Sequence, residues 1–402
     1  MENPKIRFKG FTKDWEQRKL GDVCSRVQGN DGRMKLPTLT ISAGNGWMRQ
    51  EDRFSGNIAG NEQKNYTLLH TGELSYNHGN SKLAKYGAVF SLRNYEEALV
   101  PRVYHSFRVE EGCADYIEYY FATKLPDREL RKLISSGARM DGLLNIGYDE
   151  FMGIKMMFPS IKEQNEIATY FRSLDHLITL HQRKCEQTKK LKKYMLQKMF
   201  PQNGAKVPEI RFDGFTYDWE QRKLSELLEK YEDPVETPHD GYERVGIRSH
   251  AKGTFHSFVE PGKELDTAKM YRVAADKFIL NITFAWEHAV AITDNNDAGK
   301  LVSHRFPQFS FNPKLKPHFF KYLMLDKKFR EHLELSSPGG AGRNRVLKIS
   351  DMLKYEIKFP SIEEQIKIGE YFDSLDNLIT LHQRKCDELK KMKKYMLQNM
   401  FI

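Results

Sequence analysis

Residues 4–20 read PKIRFKGFTKDWEQRKL, and residues 208–224 read PEIRFDGFTYDWEQRKL; 14 of the 17 positions are identical. A second pair follows the same logic. Residues 158–200, FPSIKEQNEIATYFRSLDHLITLHQRKCEQTKKLKKYMLQKMF, match residues 359–401 at 31 of 43 positions. Between these islands, residues 21–157 and 225–358 show no comparable similarity, although their lengths differ by only three residues. The chain is therefore an opening segment, a variable insert and a repeat segment, followed by the same three again. The boundaries predict a first domain over 1–157, a helical spacer over 158–201, a linker and second domain over 202–358, and a second spacer over 359–402. A duplicated frame carrying two diverged inserts of equal size is one scaffold with two working surfaces. Two copies of an enzyme domain in which drift erased one site would keep similarity at the cores of the inserts, and none is obvious.

The repeat segments carry helix signals. Ser160-Ile-Lys-Glu163 and Ser361-Ile-Glu-Glu364 have the capping-box pattern directly after a proline. Apolar residues then recur at helical spacing through Ile167, Phe171, Leu174, Ile178 and Cys185, and again through Ile368, Phe372, Leu375, Ile379 and Cys386. The stripe continues to Met195 and Met396. Ser173-Leu-Asp175 and Ser374-Leu-Asp376 are places where each stretch could divide into a short and a long helix. The later part alone gives ~42 Å, and the whole segment ~57 Å. Only residues 201–207 separate the first repeat segment from the second opening segment, a reach of ~24 Å at most. The second unit must then begin near the far end of the first helix, and the second helix can bury its stripe by running back along the first. The expected fold is α+β: two mixed α/β domains related by a pseudo-twofold axis, with two long antiparallel helices as a coiled-coil spacer.

Bulk properties narrow the function. The formal net charge of +10 suggests a polyanionic partner. No run of residues approaches the ~18–20 apolar positions of a membrane span, and the first residues lack a signal-peptide core. The four cysteines, Cys24, Cys113, Cys185 and Cys386, are too scattered for a disulfide framework or zinc ligation, which points to a reducing cytoplasm. Catalytic signatures are absent. Gly44-Asn-Gly46 and Gly340-Ala-Gly342 lack the third glycine of a dinucleotide loop, and neither Gly262-Lys263 nor Gly299-Lys300 continues as a phosphate loop. No Pro-Pro-aromatic strip exists for holding a flipped base, Glu129-Leu-Arg131 fails the nuclease acid-x-lysine step, and the 13 histidines show no metal-ligand spacing. No catalytic residue, metal or cofactor is expected.

A spacer of ~42–57 Å somewhat exceeds one turn of DNA, ~34–36 Å. Two unlike domains so placed would read two unlike half-sites, separated by unread base pairs. Candidate readers are polar and basic residues near glycine-bounded turns. In the first insert these are Arg49, Arg53, Lys64, Asn77, His78, Lys82 and Arg139; in the second, Arg248, His250, Arg343 and Arg345. Arginine can grip guanine O6 and N7 bidentately, and asparagine suits adenine, although most such groups touch phosphate. His181 and His382, beside Cys185 and Cys386 on the apolar stripe, read first as helix-packing residues. The lysines before Tyr194 and Tyr395 read as a solvated face, with DNA backbone or a partner subunit as the sharper alternative.

The doubled W-E-Q-R-K-L, F-P-S-I-x-E-Q and S-L-D…K-K-x-M-L-Q borders around unlike inserts closely resemble the specificity subunit of type I restriction–modification systems. The resemblance covers the whole chain. It implies that the inserts are target recognition domains reading a bipartite, asymmetric site in double-stranded DNA. It also implies that the helices dock two modification subunits, which methylate adenine, and that restriction subunits complete the assembly. By the same resemblance, the spacer and docking surface falls around Tyr170, Leu174, Ile178, His181 and Met195 and around Tyr371, Leu375, Ile379, His382 and Met396. Two competing readings remain: a DNA-modifying enzyme with an unrecognised site in one insert, and a coiled-coil adaptor that ignores DNA.

Overall fold

Each opening segment ends in a short strand that closes the insert behind it. In the first copy Glu16–Lys19 lies between buried Trp15 and buried Leu20 and pairs antiparallel with Lys155–Phe158, in the register Glu16↔Phe158. In the second, Glu220–Lys223 pairs in the same way with Glu356–Phe359, in the register Glu220↔Phe359. Both ends of each insert are thus held in one two-stranded clasp made of the repeated sequence. The computed structural model describes residues 3–54, 60–79, 81–134, 144–202, 204–265, 267–339 and 345–402. It divides into two compact units, one of residues 1–182 with 384–402 and one of residues 183–383.

The inserts have unrelated sequences but repeat one plan. In the first unit a four-stranded antiparallel sheet runs in the order Cys24–Val27, His105–Val109, Leu74–Asn77, Ala88–Ser91. In the second unit the order is Leu228–Tyr231, Gln308–Phe311, Phe278–Leu280, Val290–Ile292. Numbered along the chain, both sheets are ordered 1-4-2-3. Each is followed by three helices in matching places: Ala114–Ala122, Asp127–Leu133 and Tyr148–Met152 in one unit, Pro317–Leu323, Lys327–Leu335 and Ile349–Met352 in the other. The inserts diverge in the extra strands. The first adds two separate pairs, Leu39–Ser42 with Gly46–Arg49 and Thr67–His70 with Glu97–Val100. The second adds a five-stranded mixed sheet, in which Tyr242–Ile247 runs parallel to Leu301–Val302.

The repeat segments are the helices Ile161–Lys198 and Ile362–Asn399, each 38 residues long and therefore about 57 Å. Neither is broken at its Ser-Leu-Asp step. Ser173 Oγ donates back to the Thr169 carbonyl at 2.9 Å and Ser374 Oγ to that of Tyr371 at 2.7 Å, so neither hydroxyl caps a new helix. The aspartates are drawn outward instead. In the first unit Asp175 accepts Lys393 Nζ at 2.6 Å and Tyr119 Oη at 2.9 Å. In the second, Asp376 accepts Lys192 Nζ at 2.5 Å and Tyr322 Oη at 2.9 Å. Within each unit the start of one long helix runs antiparallel to the end of the other. In the first, Phe171 meets Phe401 while Asp175 meets Lys393. In the second, Phe200 meets Phe372, Lys192 meets Asp376 and the Cys185 thiol reaches the Ile379 carbonyl.

The opening segment is locked to this frame by a buried ion pair. Arg7 donates to both oxygens of Glu163 at 2.7 and 2.8 Å, and Arg211 to both of Glu364 at 2.7 Å, with each glutamate only 1% exposed. This corrects the capping-box assignment. The amide of Glu163 does donate to Ser160 Oγ at 3.3 Å, but its carboxylate is taken by Arg7. The neighbouring glutamines act across the same joint. Gln164 Oε1 accepts the amide of Cys113 at 3.0 Å, and Gln365 Oε1 that of Lys316 at 2.8 Å; both donors are the residue preceding the helix that follows the four-stranded sheet. The equivalent amides of Ile6 and Ile210 donate to the helix-end carbonyls of Asn399 and Lys198, both at 2.9 Å.

Removing one partner of a buried pair leaves an uncompensated charge, at about 3–5 kcal/mol. Arg7→Met is therefore expected to destabilise the first unit by that amount in denaturant unfolding, and Arg7→Met with Glu163→Leu to recover most of the loss. Equal losses for the single and double variants would show that the pair is not desolvated.

Candidate nucleic-acid interface

The loop after the second strand of each four-stranded sheet is built alike in the two units. Asn77 Oδ1 accepts the Gly79 amide at 3.0 Å, and Asn281 Oδ1 accepts the Thr283 amide at 3.0 Å, so each strand ends in an Asx turn. The next carbonyl then receives a distant chain. The Leu144 amide donates to His78 O and the Leu347 amide to Ile282 O, both at 2.8 Å. Leu144 is the first residue after positions 135–143, and Leu347 stands three positions after residue 344. Arg139 and Arg343 themselves lie outside the described residues.

In the first unit this edge gathers three of the sequence candidates. Arg53 donates to the Ile41 carbonyl at 2.7 Å, and Asn77 Nδ2 reaches the same oxygen at 3.3 Å. Lys82 is exposed on the following turn, whose Leu83 side chain lies 3.2 Å from where a Cβ on Gly44 would stand. Arg49 points elsewhere, to Glu51 at 2.7 Å and Tyr95 Oη at 3.5 Å. Lys64 is exposed on the separate turn Gly60–Asn65. His78 is not at the surface. It is buried, with its ring 4.9 Å from that of His105 and 6.0 Å from that of Tyr76.

In the second unit the edge is more aromatic. Arg345 lies over the Trp286 ring at 5.4 Å and reaches Glu334 at 3.5 Å. Arg248 lies over the Phe255 ring at 5.3 Å and donates to the Thr254 carbonyl. The turn carrying exposed His250 is stitched to the Trp286 loop by the amides of His250 and Ala251, which donate to Glu287 O at 2.9 Å and His288 O at 2.8 Å. His250, Ala251 and His288 all adopt left-handed backbone, with φ of 61°, 48° and 64°. Such conformations cost of order 1–3 kcal/mol each and persist where surrounding contacts impose them, as at binding sites. A half-open cleft of about 340 Å³ runs beside this loop, lined among others by Phe255, Phe284, Asn281 and Glu287. Arg248, His250 and Arg345 are candidates by sequence; Trp286 and Phe284, the latter 45% exposed, join them on this edge only in the structure. The loop's mark in the sequence is the Asn-x-Thr that follows an apolar strand; flanking glycine marks the other candidates.

Among the described residues no group of three or more His, Cys, Asp or Glu is placed to hold a metal ion, and no helix is long and apolar enough to cross a membrane. The docking candidates on the helices are mostly turned inward. Leu174, Ile178 and Leu375 are buried and Ile379 half-buried, Tyr170 packs on Phe8 and Tyr371 on Phe212 at ring distances of 6.0 Å, and Met195, Met396, His181 and His382 are half-buried. Other apolar residues of the long helices are exposed. Leu177, Met392 and Tyr395 of the first unit match Leu378, Leu191 and Tyr194 of the second in the repeat, while Ile161, Ile366 and Leu381 are exposed without an exposed apolar counterpart.

The family model for the type I restriction modification DNA specificity domain matches residues 12–190 and again residues 217–391. The chain belongs to that family. It carries the specificity domain twice, and DNA recognition is its role. The type I restriction enzyme MjaVIII specificity subunit of Methanocaldococcus jannaschii is 24% identical over 300 residues, covering 70% of this chain and 68% of that protein. The crystal structure of a type I restriction–modification S subunit from M. genitalium matches 100% of this chain and 99% of its own, with 13% identity and a TM-score of 0.59, a likeness of fold.

Burial pushes the His288 ring below its ordinary range, helped by the charge of Arg330 and against the Met324 carbonyl that its Nε2 meets at 2.9 Å. A base with a depressed folded pKa contributes stability that is present above its ordinary value of about 6.5 and lost as pH falls through the folded value. The second unit should therefore lose stability below about pH 6.5. His288→Asn tolerates the left-handed backbone and removes the titration, so its unfolding midpoint should fall less steeply with acid than that of the parent. Identical acid limbs would contradict the assignment.

Proposed function

We propose that this chain is a non-catalytic reader that presents two different DNA half-site surfaces on one repeated frame and recruits enzymes to the site they define. The observation that carries this is the pair of sheet edges built to one plan but furnished differently. One offers Arg53, Asn77 and Lys82; the other offers Arg248, His250, Trp286 and Arg345. Two such edges of unlike chemistry suit a bipartite, asymmetric target in double-stranded DNA. Guanidinium groups held by a carbonyl or an aromatic ring are oriented before DNA arrives, which lowers the entropy lost on binding. The net charge of +10 supplies the long-range attraction.

Recruitment fits the exposed residues of the helices. Each unit offers one equivalent set, Leu177, Met392 and Tyr395 or Leu378, Leu191 and Tyr194, so two copies of one partner can dock in the same way. Modification subunits that methylate adenine are the partners this suits, with restriction subunits joining the assembly they form. Four free cysteines, two of them buried, fit a reducing cytoplasm.

DNA binding by the purified chain should weaken with salt by ~0.9 log unit per log unit of salt for each phosphate neutralised, and no turnover should occur with S-adenosylmethionine or Mg²⁺. Arg345→Ala and Trp286→Ala should each cost about 1–3 kcal/mol of affinity for a cognate site while leaving the first half-site preference unchanged. A flat salt response would favour a protein adaptor, and turnover would favour an enzyme. Separately, Tyr194→Asp or Tyr395→Asp should reduce the bound modification subunits from two to one without changing DNA affinity or thermal stability. Retention of both subunits would place docking elsewhere.

A further inference from the structure

The two long helices differ at 12 of their 38 paired positions, and two of the differences, one helical turn apart, meet the insert. The first insert's helix Ala114–Ala122 and the second's Pro317–Leu323 sit in matching register. Cys113 and Lys316 give their amides to Gln164 and Gln365, and Tyr119 and Tyr322 give their hydroxyls to Asp175 and Asp376. Asp115 therefore corresponds to His318, and Glu118 to Lys321. Across the seam the charges are reversed. In the first unit Arg172 of the long helix faces Asp115 at 3.1 Å. In the second unit its counterpart Asp373 faces His318 at 2.7 Å and Lys321 at 2.7 Å and accepts Tyr322 Oη at 2.6 Å. Burial would raise the Asp373 carboxyl, but the hydrogen bonds from Lys321, Tyr322 and His318 outweigh it and hold the group below its ordinary value.

Volume differs at the same seam. One turn before Asp373 the second helix has Gly369, where a Cβ would stand 3.2 Å from His318 Cβ and 3.5 Å from the Phe319 nitrogen. The first helix has Ala168 in that position, 1% exposed. The first insert accommodates a methyl group there, whereas in the second unit the same methyl would require the backbone around His318 to give by a few tenths of an ångström.

We propose that the seam between each insert and its own long helix is a matched interface, keyed by charge and volume, that determines which inserts each helix accepts. The first helix, with Ala168 and Arg172, takes an insert whose leading helix carries an acid at the position of Asp115. The second, with Gly369 and Asp373, takes one carrying cations at the positions of His318 and Lys321 and backbone close to the helix. The second insert on the first helix would bring His318 and Lys321 against Arg172 and press backbone on the Ala168 methyl. The first insert on the second helix would bring Asp115 towards Asp373. The contacts shared by both units, among them Arg7–Glu163 with Arg211–Glu364, carry no such preference.

The test is a full-length chain in which residues 21–157 are replaced by a second copy of residues 225–358. Its thermal unfolding midpoint should lie on the order of 5–10 °C below that of the parent. Ala168→Gly with Arg172→Asp in this chain should restore more than half of the loss, whereas the same two changes in the parent should lower its midpoint. A companion series in the parent avoids the exchange: Asp373→Arg should lower the midpoint, and adding His318→Asp with Lys321→Glu should raise it again. An exchanged chain that melts with the parent, one that stays unfolded with or without the helix changes, or a companion series without recovery would each overturn the proposal.

Discussion

A carboxylate in the first turn of each long helix, 1% exposed and gripped by an arginine from the opening segment, is the joint on which the rest of the structure depends. Glu163 and Glu364 cannot sit unpaired in that position, because a lone buried charge is far costlier than a paired one. Arg7 and Arg211 therefore fix where each opening segment lies, and the strands that follow, Glu16–Lys19 and Glu220–Lys223, must meet the strands that lead into the long helices. The adjacent glutamines carry the constraint outward to the helix that follows each four-stranded sheet. Clasp, insert and spacer are thus oriented by one cluster of residues only two positions wide in sequence.

The same cluster explains how two unlike inserts can occupy equivalent places. What the frame requires of an insert is small: a strand that starts a sheet, a helix whose first amide reaches Gln164 or Gln365, and a tyrosine that reaches Asp175 or Asp376. The helices Ala114–Ala122 and Pro317–Leu323 share little sequence beyond that tyrosine. Everything further from the joint is free to change, and the extra strands do, from two separate pairs in one unit to a five-stranded sheet in the other. A reading surface can then vary while its position relative to its own unit is preserved.

Much of the frame was legible because the repeat is nearly verbatim, and the helices because a long apolar stripe has one period. The shared plan of the inserts was not. Strands of three to five residues, many with little side-chain alternation, give no signal strong enough to align 1-4-2-3 sheets whose sequences differ. Local pattern also misled at particular residues. Ser-x-x-Glu reads as a capping box because the arginine that claims Glu163 is 156 residues away in sequence. His78, a polar residue at a strand end, reads as a surface group, yet aromatic neighbours enclose it. The apolar stripe marked which helix residues lie inside, Leu174 and Ile178 among them, and carries no information on the exposed positions such as Leu177 and Tyr395. In the candidate loops, Trp286 gives no sequence signal of its own, because it joins this edge through Arg345 lying over it, a contact between chain segments 59 residues apart.

The central claim is that two unlike inserts on one frame specify two unlike halves of a single DNA site. The most direct measurement is to map methylated adenines in DNA from cells that contain this chain with a cognate modification subunit, once with the parent and once with Arg345→Ala. A split motif with unlike halves, of which only one is relaxed by the substitution, is the result the account predicts. A continuous or symmetric motif, or relaxation of both halves together, would contradict it.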